Sequence, residues 1–211
     1  MAMVRKSLIA FAVVIVGFLA YIQFRPSEMH VERTAHMSVQ PEVVFGLIDH
    51  LRSWERWDPW NELDPNQTTT YSGPEQGEGA VAEWSGNDQV GKGRMKLVKS
   101  EPPQRVVVSL QFLEPFESEA TTEFVLKPMD GGEGTEVTWS MSSEYSYMEK
   151  AMGLFVDFEH LIGNDFEKGL AKLEQVALAE AERRAKAAAE AETSARAEAE
   201  PEPEAESVGG E

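Results

Sequence analysis

Three hydrophobic patterns follow one another along the chain: an uncharged, mostly apolar run from Leu8 to Phe24, segments in which every second residue is apolar, and a late segment with apolar residues three and four apart. They predict, in turn, an apolar helix, strands with one wet face, and an amphipathic helix. In "MHVERTAHMSV" the residues Met29, Val31, Arg33, Ala35, Met37 and Val39 share one mostly apolar parity, as a half-buried strand requires. "QPEVVFGLIDHLRSWERW" follows, with Pro41 suited to a first helical position and Val44, Phe45, Ile48 and Leu51 at helical spacing, which predicts a short helix and a second, smaller one. Extended stretches come next, at about 68–71, 79–84, 91–98, 105–112, 118–127 and 135–143. "KSEPP", "EPFE" and "MDGGEGT" separate several of them, and the Gly131-Gly132 pair signals a hairpin. Such short connections imply antiparallel pairing.

The strand parity defines a face. Val106, Val108, Leu110 and Phe112 point one way, as do Ala120, Thr122, Phe124 and Leu126, then Val137, Trp139 and Met141; the alternate positions are mostly Ser, Gln, Thr and Glu. A sheet with one buried face needs a cover. "YMEKAMGLFVDFEHLIGNDFEKGLAKLEQVA" supplies it, because Met148, Met152, Phe155, Ile162, Phe166, Leu170, Leu173 and Val176 fall near helical repeats and predict one long amphipathic helix from about Met148 onward. The expected fold is α+β: a curved antiparallel sheet of about seven strands wrapped around a long C-terminal helix, with two short helices after the first strand. "WERWDPW" sets Trp54, Trp57 and Trp60 three apart. Burying one indole covers about 150–250 Å² and is worth several kcal/mol at ~25 cal/mol/Å². Core packing is therefore expected for at least two of the three, leaving the third available to a cavity mouth.

The apolar run sets the location. As a helix, Leu8 to Phe24 spans about 25 Å, somewhat short of a hydrocarbon layer of about 30 Å, with Ser7, Tyr21 and Gln23 at its interfaces and Arg25 able to snorkel. An uncleaved single-pass anchor is expected. A cleavable signal peptide is the competing reading, and bulky Phe18 two residues before Ala20 speaks against it. Arg5 and Lys6 before the run, against Arg25 after it, favour a cytoplasmic N-terminus and an extracytoplasmic domain at the cell membrane. The chain thus divides into an anchor (1–27), a folded domain (28–177) and an Ala/Glu-rich extension (178–211). The extension is rich in helix formers without an apolar stripe, so the helix is expected to run on into solvent, with the Pro-Glu repeats from Pro201 disordered.

Charge and composition remove several functions. Of the net charge of −18, the segment 28–177 carries 27 acidic and 12 basic residues, so it offers no basic face to nucleic acid. The absence of cysteine excludes disulfides, thiolate nucleophiles and Cys-ligated metals. His30, His36, His50 and His160 have no metal-ligand spacing, and neither a metal, a cofactor nor a catalytic residue is expected. His160, flanked by Asp157 and Glu159, lies in the covering helix and is expected to be partly exposed or hydrogen-bonded. Glu83 and Glu123 fall on the polar parity. "GEGAVAEWSGNDQVGKG" lacks the phosphate-loop pattern, and its glycines suit strand bends.

Particular phrases carry a family resemblance: "SVQPEVVFGLIDHLRSWERWDPW", "GEGAVAEWSG" followed by "VGKGRM", "GTEVTWSM", and "FEHLIGNDFEKGLAKLEQVA". Over about residues 29–177 the chain resembles the SRPBCC, or polyketide-cyclase-like, proteins of the START and birch-pollen-allergen superfamily, whose shape is the helix-grip fold. The resemblance implies a deep apolar pocket between sheet and helix. Its expected lining, taken from the apolar strand parity and inner helix face, is Trp84, Met95, Val108, Leu110, Phe112, Phe124, Trp139, Met141, Met152, Phe155, Phe158, Ile162 and Phe166. Superfamily members bind lipids, hormones or polyketides, act as cyclases, or assist other proteins. The expected function is membrane-anchored binding of a hydrophobic small molecule or lipid, with residues 8–24 in the membrane and no protein partner specified. A cyclase- or hydrolase-like enzyme and a chaperone-like interaction module are the alternatives.

Overall fold

In the computed structural model, which describes residues 2–129, 131–132 and 134–199, the alternating segments form one seven-stranded antiparallel sheet. The strands are β1 (Glu28–Met37), β2 (Thr68–Ser72), β3 (Val81–Ser85), β4 (Lys92–Glu101), β5 (Arg105–Glu114), β6 (Ser118–Pro128) and β7 (Thr135–Glu144). Their order is β1-β7-β6-β5-β4-β3-β2, so β2 to β7 run as a meander and β1 closes against β7. Period-2 patterning sets the register: Arg33 faces Trp139, Trp139 faces Phe124, and Phe124 faces Val106, placing the apolar parity of neighbouring strands on one concave side. Gly131 and Gly132 turn β6 into β7 with φ of 93° and 74°, the left-handed region that glycine enters without steric cost.

The helices are α1 (Ala2–Gln23), α2 (Pro41–Asp49), α3 (Tyr147–Met152) and α4 (Phe158–Ala199). Two 3-10 turns, Leu51–Arg56 and Pro59–Glu62, stand where one second short helix is expected. The fold is the helix-grip fold, with one correction: the covering helix is broken. Ser146 and Glu149 form a reciprocal capping box that starts α3, and Gly153 ends it. A new N-terminus follows, with the Asp157 Oδ1 accepting from the His160 N–H at 3.0 Å. β4 also runs through the expected separator to Glu101, with an irregular register between Leu97 and Lys99.

α4 packs chiefly over β1, α2 and the 3-10 turns. It crosses β1 at Arg33, whose guanidinium lies against Gly163 and pairs with Glu167 at 2.9 Å, so a charged residue on the concave parity reaches an exposed carboxylate of α4 itself. Packing continues past Ala177 to Glu180, which is buried and accepts hydrogen bonds from Arg183 and Arg184. The Pro-Glu repeats lie outside the described residues.

Candidate functional site

The concave face has a solid half and an open half. In the solid half, Phe124 stacks on Trp139 (centroids 4.9 Å apart) and Trp139 stacks on Phe166 of α4 (3.9 Å, interplanar angle 7°). Trp57 stands edge-on to both Phe124 and Trp139, and Trp54 packs against Trp57 at 4.8 Å. Each buried indole N–H has an acceptor, as a dry interior demands. Trp54 donates to the Ile48 carbonyl (2.8 Å), Trp57 to the Leu47 carbonyl (3.3 Å) and Trp139 to the Thr122 hydroxyl (2.7 Å), which itself donates to the Ser140 carbonyl (2.8 Å). Trp60 is half-buried, edge-on to Trp139 and Phe166.

This half corrects part of the expected pocket wall. Val108, Phe124, Trp139 and Phe166 have no more than 1% of their surface exposed, and Met141 is buried too. Their faces are used up by one another, so they form core and not lining. Parity assigns a side of the sheet but carries no information on depth.

The open half lies toward β3, β4 and β5, to the side of the elements that α4 covers. Trp84, Met95, Leu110 and Phe112 on these strands are only half-buried; Phe158 and Ile162 on α4 are half-buried as well, with Phe158 6.0 Å from the Tyr145 ring. Met95 sits beside Leu110 in the β4–β5 ladder. Trp84 meets Phe112 edge-on at 5.9 Å, and its N–H donates to the Val90 carbonyl at 3.1 Å. The indole lies across Gly93, where a Cβ would come within 2.2 Å of the ring. Gly93 thus holds Trp84 down on the sheet.

Two further volumes flank this framework. A cleft of about 460 Å³ lies between the end of α1, Tyr145, α3 and the start of α4; Phe155 and Phe158 line it with Arg25, Lys150, Glu149, Asp157 and Glu159. Met152 and Phe155, expected on the inner helix face, project to the outside instead, 39% and 86% exposed, because the break at 153–157 rotates α3 away from the α4 face. Burial, followed by the nearby Glu149 and Asp157, raises the Tyr145 pKa, so its hydroxyl stays protonated and able to donate. A smaller hollow of about 260 Å³ lies against the β2–β3 connection, lined by Leu51, Arg52, Tyr71 and Glu75 among others.

Titratable groups elsewhere have structural duties. His160 is exposed and lies 3.2 Å from the Asn164 amide. A Ser-His-carboxylate juxtaposition that spacing alone did not flag occurs at His50, with Nδ1 3.0 Å from the Ser53 hydroxyl and Nε2 3.6 Å from Glu75. It sits where the Gly77 N–H donates to the Asp49 carbonyl, the bond that ties the β2–β3 connection to the end of α2, while the buried His50 Nε2 itself has no hydrogen-bond partner among the described residues. Asp58 caps the second 3-10 turn by accepting from the Trp60 N–H at 3.0 Å. Burial pushes its carboxyl up to about 6, against the lowering effects of that hydrogen bond and of Lys172.

The sequence profile described as polyketide cyclase / dehydrase and lipid transport matches residues 28–178. Among solved structures, the chain is similar to protein CV1439 from Chromobacterium violaceum (TM-score 0.50, 13% identity, covering 72% of this chain and 98% of that one). It is also similar to protein MLL2253 from Mesorhizobium loti (0.51, 16%, 70% and 95%) and to an uncharacterized protein from Bacillus thuringiensis (0.51, 18%, 71% and 99%). Identities this low speak for the shared fold alone. No curated protein matches the chain at a significant level.

Proposed function

Since the chain belongs to the polyketide cyclase / dehydrase and lipid transport family through residues 28–178, we propose that it is a binding domain for a hydrophobic small molecule or lipid, held at a membrane by α1. The observation that carries this reading is the open half of the concave face, where Trp84, Met95, Leu110 and Phe112 keep apolar surface in reach of solvent. A guest covering about 200–300 Å² of such surface gains on the order of 5–8 kcal/mol at ~25 cal/mol/Å² before the entropic costs of association.

Membrane attachment is supported by α1, whose stretch Val4–Gln23 is long and apolar enough to cross a bilayer. Its contacts with the domain favour an anchor over a removable signal: Ile22 is 1% exposed, the Arg25 guanidinium donates to the Gly153 carbonyl (3.2 Å), and the Tyr147 hydroxyl donates to the Leu19 carbonyl (2.9 Å). Arg5 and Lys6, in the first turns of that stretch and ahead of the uncharged run from Leu8, support a cytoplasmic N-terminus. A cyclase-like reaction would want a proton-transfer group on the concave face, and His160 is exposed. The solid aromatic half is the one feature on the side of an interaction module.

The test is titration of the full-length chain in nanodiscs with a fluorescent fatty acid, alongside native mass spectrometry. Saturable uptake is expected, weakened at least about tenfold in Leu110→Lys, which sets a charge on the apolar wall while leaving it a route to solvent. A folded chain that carries no apolar ligand and takes up no probe overturns the binding role and leaves the interaction module.

A further inference from the structure

Exposed apolar side chains gather at one end of the sheet. That end is defined by the pairing of Glu28 with Glu144, of Ser118 with Phe112 and of Lys92 with Glu114, and α1 enters there, with the Tyr145 N–H donating to the Ser27 carbonyl at 2.6 Å. Beyond it lie Met148 (59% exposed), Phe155 (86%) and Leu161 (57%) on α3, the break and α4, and Leu113 and Phe116 (64%) at the β5–β6 turn. Single exposed apolar residues are ordinary, but this many at one end form a patch that calls for a partner.

The contacts of α1 identify that partner. The Leu19 carbonyl, which accepts from the Tyr147 hydroxyl, lies four residues before the helix ends at Gln23, about 6 Å back along its axis. The clasp between α3 and α1 is therefore level with the last turn of the apolar helix. A bilayer that surrounds α1 up to Leu19 reaches α3 as well.

We infer that this end of the domain is seated in the interfacial layer of the membrane, with Met148, Phe155 and Phe116 immersed among lipid headgroups and upper acyl chains. The inference rests on the reading of α1 as a span. The face carries Glu117, Glu149, Asp157 and Glu159 against Arg25 and Lys150, so anionic lipid is repelled and insertion is apolar, into a zwitterionic surface. The cleft beside Phe155 and Phe158 then opens at headgroup depth.

The chain contains no cysteine, so single-cysteine variants give unambiguous spin labels. Met148→Cys, Phe155→Cys and Phe116→Cys would be labelled in the full-length chain in phosphatidylcholine nanodiscs. Val13→Cys serves as the mark of the span, and Met129→Cys, at the opposite end of the sheet, as the aqueous mark. Collision with dissolved oxygen against a water-soluble nickel chelate reads immersion. Labels at Met148, Phe155 and Phe116 are expected to favour oxygen several-fold, as Val13 does, while Met129 favours nickel. Met148 and Phe155 labels that behave like Met129 while Val13 stays in lipid overturn the seating and leave the anchor standing. An aqueous Val13 label overturns the anchor and the seating with it. Deeper immersion on replacing a third of the lipid with phosphatidylglycerol would show electrostatic attachment and overturn the apolar mode.

Discussion

Trp139 of β7 and Phe166 of α4 lie ring on ring, 3.9 Å between centroids and 7° from parallel, and neither has more than 1% of its surface exposed. This pair is where the covering helix is bolted to the sheet. One turn on, Gly169 leaves room for the same indole: a Cβ there would sit 2.7 Å from the Trp139 ring and 3.1 Å from Pro59. Neither neighbour is the end of a flexible side chain. Phe166→Ala is accordingly expected to cost about 3–5 kcal/mol, the usual range for a buried phenyl lost from a close-packed site. Denaturant unfolding with unchanged slope is the measurement; a loss below about 1 kcal/mol would show that α4 is held elsewhere.

The tryptophan-rich segment makes a graded prediction. Trp57 is fully buried, touches Trp54, Phe124 and Trp139, and donates its N–H to the Leu47 carbonyl. Trp60 is half-buried and meets only ring edges at about 6 Å. Trp57→Ala should therefore lower the melting temperature by about 10 °C, from ~3–5 kcal/mol at ~2–4 °C per kcal/mol, and Trp60→Ala by less than half of that. Thermal melts of the two variants under one condition decide it. Equal losses would mean that Trp60 is as structural as Trp57.

How far the chain could be read in advance follows from what each pattern encodes. Alternation in β5, β6 and β7 predicts strands and a buried face because each sheet position faces only core or solvent, and the pairing of Phe124 with Trp139 bears this out. The same alternation cannot separate Phe112, half-buried, from Phe124, fully buried, since both lie on the inner parity and differ only in what covers them. Helical spacing runs through Met148, Met152 and Phe155 without a gap, so the break at Gly153 is hidden. It becomes visible only through the caps, Ser146 with Glu149 and then Asp157. The clasp of Tyr147 on Leu19 joins residues 128 apart, and local periodicity has no means of showing it.

Acid and neutral pH should act oppositely on two carboxyls. Glu180, bonded to Arg183 and Arg184, is held down at about 2, so it adds stability above its ordinary value of 4.5 and that contribution fades as the pH falls toward 2. Asp58 is the reverse case. Its carboxyl is pushed up from 3.8 to about 6, so between those values the folded chain binds a proton that the unfolded chain has released. Stability from this group therefore falls as the pH rises from about 4 to about 6, and above 6 the full penalty of the buried charge is present, at most about 2–3 kcal/mol for a shift of this size. Asp58→Asn keeps an oxygen to accept from the Trp60 N–H and cannot ionise. The variant is expected to be more stable than the parent at pH 7 by up to that ceiling, since the shift to about 6 is already net of the attraction of Lys172, and to converge with it near pH 4. Paired unfolding curves from pH 4 to pH 7 isolate the effect, since Glu180 and the other carboxyls contribute equally to both chains. A constant difference across that range would show that Asp58 is not titrating there, and a parent more stable at pH 7 would show that its negative charge, held by Lys172, outweighs the cost of burying it.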